Sequence, residues 1–177
     1  SANMSGRFYG KLDNFKVGNL FLRTSGNTYL SGNLTMKGLP DIDKTLITLS
    51  NANIQTNNKE IAFIYPDIKD ITSPDLSALG NIKFAGNFTG TIHNFTAKGN
   101  ISSLLGGLYS NINLNLPEKG EPSYKGNIET KAFDLGKFIG ESSLGKVSFI
   151  GKIDGKSFAI NRAKTTLDGT FNSLEFN

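Results

Sequence analysis

The side chains that could do chemistry are few and widely separated in this sequence. His93 is the single histidine among 177 residues, and a general base needs a partner that orients it. The neighbouring Asn94-Phe95 supplies neither a carboxylate nor a nucleophile. We therefore interpret His93 as a surface or hydrogen-bonded residue, and we expect no catalytic residue and no enzymatic activity.

Two further patterns resemble ligand-binding loops but are incomplete. Asp41-Ile42-Asp43 lacks the additional ligands and the closing Glu of a calcium loop, so we interpret both carboxylates as turn residues. The glycines in segments 5–10 and 105–107 lack the Lys-Ser/Thr and the strand-to-helix context of a phosphate loop. Because the chain has no cysteine, zinc–sulfur sites are excluded as well. The sequence thus predicts no cofactor and no metal.

The charge pattern argues against nucleic acid as a partner. Nineteen basic and fifteen acidic residues give a formal net charge of +4, and the basic residues form no run. Nucleic-acid binding favours a clustered basic stripe with interleaved aromatic residues. No segment approaches the roughly 20 consecutive apolar residues that a membrane-spanning helix needs.

A repeated pattern of apolar residue, spacer, glycine, spacer and apolar residue is the most informative feature of the sequence. Residues two apart in a strand share a face, so each glycine lies inside an apolar row. Glycine weakens a strand, and its repetition indicates bending or the close approach of another group. The pattern occurs at Phe8-Gly10-Leu12, Leu30-Gly32-Leu34, Phe84-Gly86-Phe88, Phe88-Gly90-Ile92, Ala97-Gly99-Ile101, Tyr124-Gly126-Ile128, Phe149-Gly151-Ile153 and Leu167-Gly169-Phe171.

Alternation between apolar and polar residues predicts strands along most of the chain, connected as an antiparallel meander. Where the alternation fails, we predict short helices: one behind a Thr56 or Asn57 cap and ending near Pro66, one from Ser73-Pro74-Asp75, and one capped by Asp134. A change of phase between Ile92 and Phe95 predicts a bulge. Predicted strands cover 8–17, 20–22, 28–36, 46–54, 82–92, 95–101, 108–116, 147–153, 158–160 and 165–171.

The predicted fold class is all-β with short helical excursions, a single curved antiparallel sheet over residues 1–177. Segment 10–17 is similar to segment 90–97, which favours a repetitive array that grows strand by strand. The alternation continues to the last residues, so we expect a fragment of a larger repetitive protein with edges that associate with one another. We interpret Ser1, Ala2 and Asn3 as an expression remnant.

Four segments together carry a resemblance to a known family. The runs 84–90, 38–41, 133–139 and 144–155 are similar to those of the TamB and AsmA-like proteins of Gram-negative bacteria, and the similarity extends from about Phe8 to Phe171. The resemblance implies a periplasmic β-sheet folded into a trough, the β-taco, in a protein anchored to the inner membrane. It also implies a role in outer-membrane assembly and phospholipid movement, with an outer-membrane barrel protein as a partner.

Both the residues and the resemblance lead to a hypothesis that needs no reactive group. A continuous apolar lane could shield phospholipid acyl chains, or the strands of an unfolded barrel protein, from water. Removing each methylene group from water is favourable by about 0.8 kcal/mol. Glycines 10, 32, 86, 90, 99, 126, 151 and 169 would set its curvature. The predicted lining residues are Phe8, Leu12, Leu30, Leu34, Phe84, Phe88, Ile92, Ile112, Leu114, Phe149, Ile153 and Phe171.

Three other architectures fit the same pattern. The apolar rows could pack against a second sheet as the core of an ordinary sandwich. A closed or half-open β-barrel could carry a single lipid or lipoprotein. A structural β-module would have a packed core and no ligand. The sequence leaves these alternatives open.

Overall fold

Ten antiparallel strands form one sheet in the computed structural model, which describes residues 2–64, 74–159 and 161–177. The strands pair in sequence order, each with the strand before and the strand after it, as the meander prediction requires. Their bounds are β1 Ala2–Lys11, β2 Asn14–Thr24, β3 Tyr29–Lys37, β4 Leu46–Asn57, β5 Asn81–Gly90, β6 Asn94–Ser103, β7 Gly106–Asn115, β8 Ser123–Asp134, β9 Leu144–Lys156 and β10 Lys164–Phe176.

The connections divide between the two ends of the strands. One end, here the loop end, carries the β1–β2, β3–β4, β5–β6, β7–β8 and β9–β10 connections. The other, the helical end, carries helices α1 Asn58–Ile64 and α2 Leu135–Ile139 and a 3₁₀ helix, Leu76–Leu79. The sheet is open, because β1 pairs only with β2 and β10 only with β9 in the described residues.

The sheet is curved into a trough whose interior is apolar, as the sequence predicts. Strand β5 shows the pattern: Phe84, Gly86 and Phe88 are half-buried, whereas Lys83 and Asn87 are exposed. Cross-strand register carries the same face onto β6, where Ile101, Gly99, Ala97 and Phe95 lie opposite Phe84, Gly86, Phe88 and Gly90. The apolar face is therefore continuous from strand to strand.

A line of small residues crosses the middle of this face. Ala52 of β4 lies opposite Gly86, Gly86 opposite Gly99, and Gly99 opposite Ser110 of β7. Beyond Ile128 the line continues through the opposed pair Gly151 and Gly169. A Cβ atom built on Gly151 would lie 2.6 Å from the Gly169 Cα. We call this line the crease, because only residues this small allow adjacent strands to approach so closely on the concave side.

Three β-bulges use the same local arrangement. Asn19, Asn51 and Ala132 have positive φ angles of 50°, 50° and 49°, and each lies where the register shifts. In each case the backbone N–H donates to a side-chain oxygen on the next strand, at 3.1, 3.1 and 3.0 Å respectively. Bulges increase local twist and bending. The acceptors are Asn33 Oδ1, Asn87 Oδ1 and Ser148 Oγ.

Two buried clusters fill parts of the trough. The first contains Val17, Leu20, Leu49 and Ala52, with the half-buried Phe15, Leu30, Leu34, Ile54, Phe84 and Phe88 around them. The second contains Leu105, Phe133, Val147 and Phe149, covered by residues of α2 and the 3₁₀ helix. The trough is thus filled by side chains over part of its length, without a second sheet in the described residues.

The helix predictions are confirmed within the described residues. Asn57 caps α1 by accepting the Glu60 N–H at 3.1 Å, and Asp134 caps α2 by accepting the Lys137 N–H, also at 3.1 Å. Asp75 caps the 3₁₀ helix through the Ser77 N–H. The predicted Ser73 start and Pro66 end of these segments lie outside the described residues.

Several predicted strand boundaries are wrong. Segment 8–17 is not one strand, since a tight hairpin turn at residues 12 and 13 separates β1 from β2. The phase change after Ile92 is a hairpin connection between β5 and β6, not a bulge. Phe158 and Ala159 lie in a bend and not in a strand. Strand β8 extends over twelve residues and has no counterpart among the predicted strands.

Candidate functional site

An apolar cavity lies along the concave face between α2 and the β9–β10 loop. Its volume is about 540 Å³, which falls in the range of ligand pockets in proteins, roughly 300–1,000 Å³. Nearly all of its lining side chains are aliphatic or aromatic. They are Pro74, Leu76, Ile112, Leu114, Tyr124, Leu135, Phe138, Ile139, Ile153, Ser157, Phe158, Ala163, Thr165 and Leu167.

The floor of the cavity follows from strand register. Leu114 of β7 lies opposite Tyr124 of β8, and Ile153 of β9 lies opposite Leu167 of β10. Ile112 of β7 lies opposite Gly126 of β8. Because glycine has no Cβ, the two strands approach each other closely at this pair. Alternation along four consecutive strands therefore places their apolar residues on one surface.

Helix α2 forms one wall of the cavity through Leu135, Phe138 and Ile139. The Asp134 side chain accepts the Lys137 N–H and also pairs with Lys137 Nζ at 3.2 Å. This N–H bond, together with the Lys137 charge, lowers the pKa of Asp134 below its usual range. The Asp75 N–H donates to the Phe138 carbonyl oxygen at 2.9 Å and ties the wall to the 3₁₀ helix.

Aromatic residues border the cavity at the loop end. The rings of Tyr124 and Phe158 stack with centroids 5.8 Å apart and an interplanar angle of 9°. The Tyr124 hydroxyl is hydrogen-bonded to Thr165 Oγ1 at 2.7 Å. The Ser157 N–H donates to the Pro122 carbonyl oxygen at 2.8 Å and ties the β9–β10 loop to the residue that precedes β8. The polar tip of the tyrosine is thus satisfied at the rim, and its ring adds to the apolar surface.

No buried side-chain nitrogen or oxygen lacks a hydrogen-bond partner in the part of the chain that the structure describes. A polar ligand would therefore find no unpaired polar group in the described lining with which to form hydrogen bonds, and the loss of its own hydration would be unfavourable. The arrangement suits a molecule with a long apolar segment.

The predicted lining residues divide into four groups. All of them that lie in strands are on the apolar face. In the first group, Ile112, Leu114 and Ile153 line the cavity. Phe8 and Phe171 lie on the edge strands, with 57% and 50% of their surface exposed. Leu12 and Ile92 lie in hairpin turns, so their predicted place in a strand row is wrong. The rest pack in or against the buried clusters: Leu30, Leu34, Phe84, Phe88 and Phe149.

Sequence reasoning missed most of the wall and rim. Leu135, Phe138 and Ile139 were visible as the apolar positions of a predicted short helix, but nothing in the sequence said which surface this helix covers. Phe158 falls in the predicted strand 158–160 and Ala163 in no predicted element, whereas both belong to a loop that borders the cavity. Tyr124 and Leu167 belong to two of the glycine rows, so the sequence does contain a signal for these two lining residues.

Comparison with protein-family models, curated proteins and solved structures finds no match to this chain. None of the described helices is long and apolar enough to cross a membrane.

Proposed function

We propose that this chain is a segment of a lipid-shielding trough, which holds acyl chains along its concave face. The observation that carries the proposal is the cavity of about 540 Å³, whose floor comes from strands β7 to β10 and whose wall comes from α2. Burial of apolar surface there supplies the affinity, at about 25 cal/mol per Å² removed from water. The proposed activity is binding and passage, with no chemical step.

The exposed apolar side chains on the edge strands support passage beyond a single pocket. Met4, Phe8, Leu167, Phe171 and Leu174 are each at least 40% exposed, and they lie on strands at the two sides of the sheet. Exposed apolar surface of this kind is unusual on a protein that acts alone. It is expected where the lane continues onto further strands or another copy of the sheet.

The open sheet favours the trough over the alternative of a closed barrel carrier. Closure would require β1 to pair with β10, and these strands have no such pairing in the described residues. A ligand in an open trough can leave along the lane, whereas a barrel holds it at fixed stoichiometry. The sandwich alternative is disfavoured because no second sheet covers the apolar face in the described part of the chain.

The location and the wider role in this proposal rest on the resemblance to the TamB and AsmA-like proteins. By that resemblance the chain would lie in the periplasm, within a protein anchored to the inner membrane, and would serve outer-membrane assembly with an outer-membrane barrel protein as partner. The cargo would be phospholipid or an unfolded barrel strand. An open apolar trough is the architecture that this role needs.

Native mass spectrometry of protein purified from a bacterial host without detergent tests the proposal. We expect adducts with the masses of phospholipids or fatty acids, which collisional activation releases. Protein that carries no adduct, and that takes up none from phospholipid vesicles, would contradict the proposal. Adducts that persist unchanged after Leu114→Asp, which places a carboxylate in the cavity floor, would show that the lipid binds elsewhere.

A further inference from the structure

Three side chains with metal-binding groups converge at the loop end of the sheet. His93 comes from the β5–β6 connection, Asp43 from the β3–β4 connection and Glu118 from the β7–β8 connection. His93 Nε2 lies 3.2 Å from Asp43 Oδ1 and 4.0 Å from Glu118 Oε1. The three donor atoms all lie within 4.8 Å of one another.

The histidine is oriented by a bond outside this group. His93 Nδ1 lies 3.1 Å from the Leu116 carbonyl oxygen, so Nδ1 carries the proton and donates it. Nε2 is the ring nitrogen that faces the two carboxylates, and a bound metal ion would take the place of its proton. Metal-binding histidines are held in the same way, with the second ring nitrogen donating to a backbone carbonyl or carboxylate.

We propose that His93, Asp43 and Glu118 form a divalent transition-metal site, with Zn²⁺ as the preferred probe. One imidazole nitrogen and two carboxylate oxygens are ligands that Zn²⁺ accepts at about 2.0–2.2 Å. Ligand atoms in such a shell are about 3–3.5 Å apart, by simple geometry from these bond lengths. The His93–Asp43 distance already fits this spacing, and a small rotation of the exposed Glu118 side chain closes the remainder. Water completes the coordination.

The neighbouring carboxylates do not compete for this role. Asp41 is engaged in its own turn, where its side chain pairs with Lys44 Nζ at 2.9 Å, and the pairing lowers the pKa of Asp41. Glu121, further along the β7–β8 connection, lies 4.0 Å from Arg162. The site therefore links three hairpin connections of the sheet, and a bound ion would hold the loop end of the trough together.

Because the chain has one histidine, NMR reports on this site without ambiguity. Tag-free protein, treated with EDTA and then dialysed, would be titrated with Zn²⁺ while the His93 ring nitrogen shifts are recorded. We expect one equivalent to shift Nε2 into the metal-bound range and to leave Nδ1 protonated, with a rise in melting temperature. An unshifted Nε2 at saturating Zn²⁺ would overturn the proposal.

Variants separate this site from adventitious binding. His93→Ala and Asp43→Asn are each expected to weaken Zn²⁺ affinity in calorimetry at least about tenfold. Loss of a residue that only hydrogen-bonds a metal ligand already costs about tenfold or more, and loss of a ligand costs more than that. Glu121→Gln, in the same connection as Glu118, is the matched control and should bind as the wild type does. Equal affinity in His93→Ala would show that the ion binds elsewhere, and so overturn the assignment. Far-UV circular dichroism checks that each variant is folded.

Discussion

Gly86 of β5 lies directly opposite Gly99 of β6, and a Cβ atom on Gly86 would lie 2.6 Å from the Gly99 Cα. A Cβ on Gly99 would lie 2.7 Å from the Gly86 Cα in return. Real Cβ atoms do not come this close to backbone atoms, so the two strands can approach this closely only because both positions are glycine. The pair belongs to the crease, and the opposed Gly151 of β9 and Gly169 of β10 repeat it.

Substitution at the crease is the first prediction. Gly86→Ala forces β5 and β6 apart, so we expect the free energy of unfolding to fall by more than about 1 kcal/mol in urea denaturation. Gly107→Ala is the control, because a Cβ there meets only the Ile101 carbonyl oxygen at 3.7 Å. It should change stability by no more than about 0.5 kcal/mol in either direction. Equal losses in both variants would contradict the account of the crease.

The bulges give the second prediction. Ala132 has a φ of 49°, a conformation that costs an L-residue with a Cβ roughly 1–2 kcal/mol. Ala132→Gly relieves this cost but adds freedom to the unfolded chain, so we expect a net gain of up to about 1 kcal/mol. Asn51→Gly should gain less, because asparagine tolerates this conformation. Thermal unfolding compares the two, and a larger gain at Asn51 would argue against backbone strain at Ala132.

Much of the fold was predictable from the sequence because strand periodicity is local information. The glycine rows gave the shared face of β5, β6, β8, β9 and β10, and the capping residues Asn57 and Asp134 gave the helix starts. The tight turn between Lys11 and Asn14 was missed since the apolar alternation continues through Leu12. The candidate site was only partly predictable, because docking of α2 onto the sheet and the meeting of Asp43 with His93 depend on cross-strand register, which no short pattern encodes.

The third prediction concerns pH and the wall of the cavity. The Lys137 N–H lowers the pKa of Asp134 in the folded state, so this cap stabilises α2 above the unfolded pKa and is lost as the pH falls through the folded value. Lipid binding by the folded protein should therefore weaken only as the pH falls below the ordinary aspartate value of about 3.9. Asp134→Asn retains a capping oxygen and should show a smaller change between pH 6 and pH 3.

Fluorescence titration at a series of pH values measures this effect. Melting curves of the same two proteins serve as the control for global acid unfolding, to which the other carboxylates contribute. Identical pH profiles for wild type and Asp134→Asn would contradict a role for the Asp134 cap in lipid binding.

Self-association through the sheet edges is the fourth prediction. All residues of β10 are exposed, and an unpaired strand edge is a template for another strand. Sedimentation velocity over a wide concentration range should show reversible formation of larger species. Phe171→Lys places a charge on the apolar face of this edge, whereas Thr170→Lys places the same charge on the polar face. We expect the first to weaken association more, and strictly monomeric behaviour at high concentration would contradict an open array.

The most direct test of the central claim is binding of a fluorescent long-chain fatty acid to two matched variants. Leu114→Asp puts a carboxylate into the cavity floor, and Asn115→Asp puts one on the next residue of the chain, on the opposite face. The account predicts saturable binding by the wild type and by Asn115→Asp, with affinity reduced at least about tenfold in Leu114→Asp, equivalent to about 1.4 kcal/mol. Folded wild-type protein that does not bind the probe, or equal binding by both variants, would contradict it.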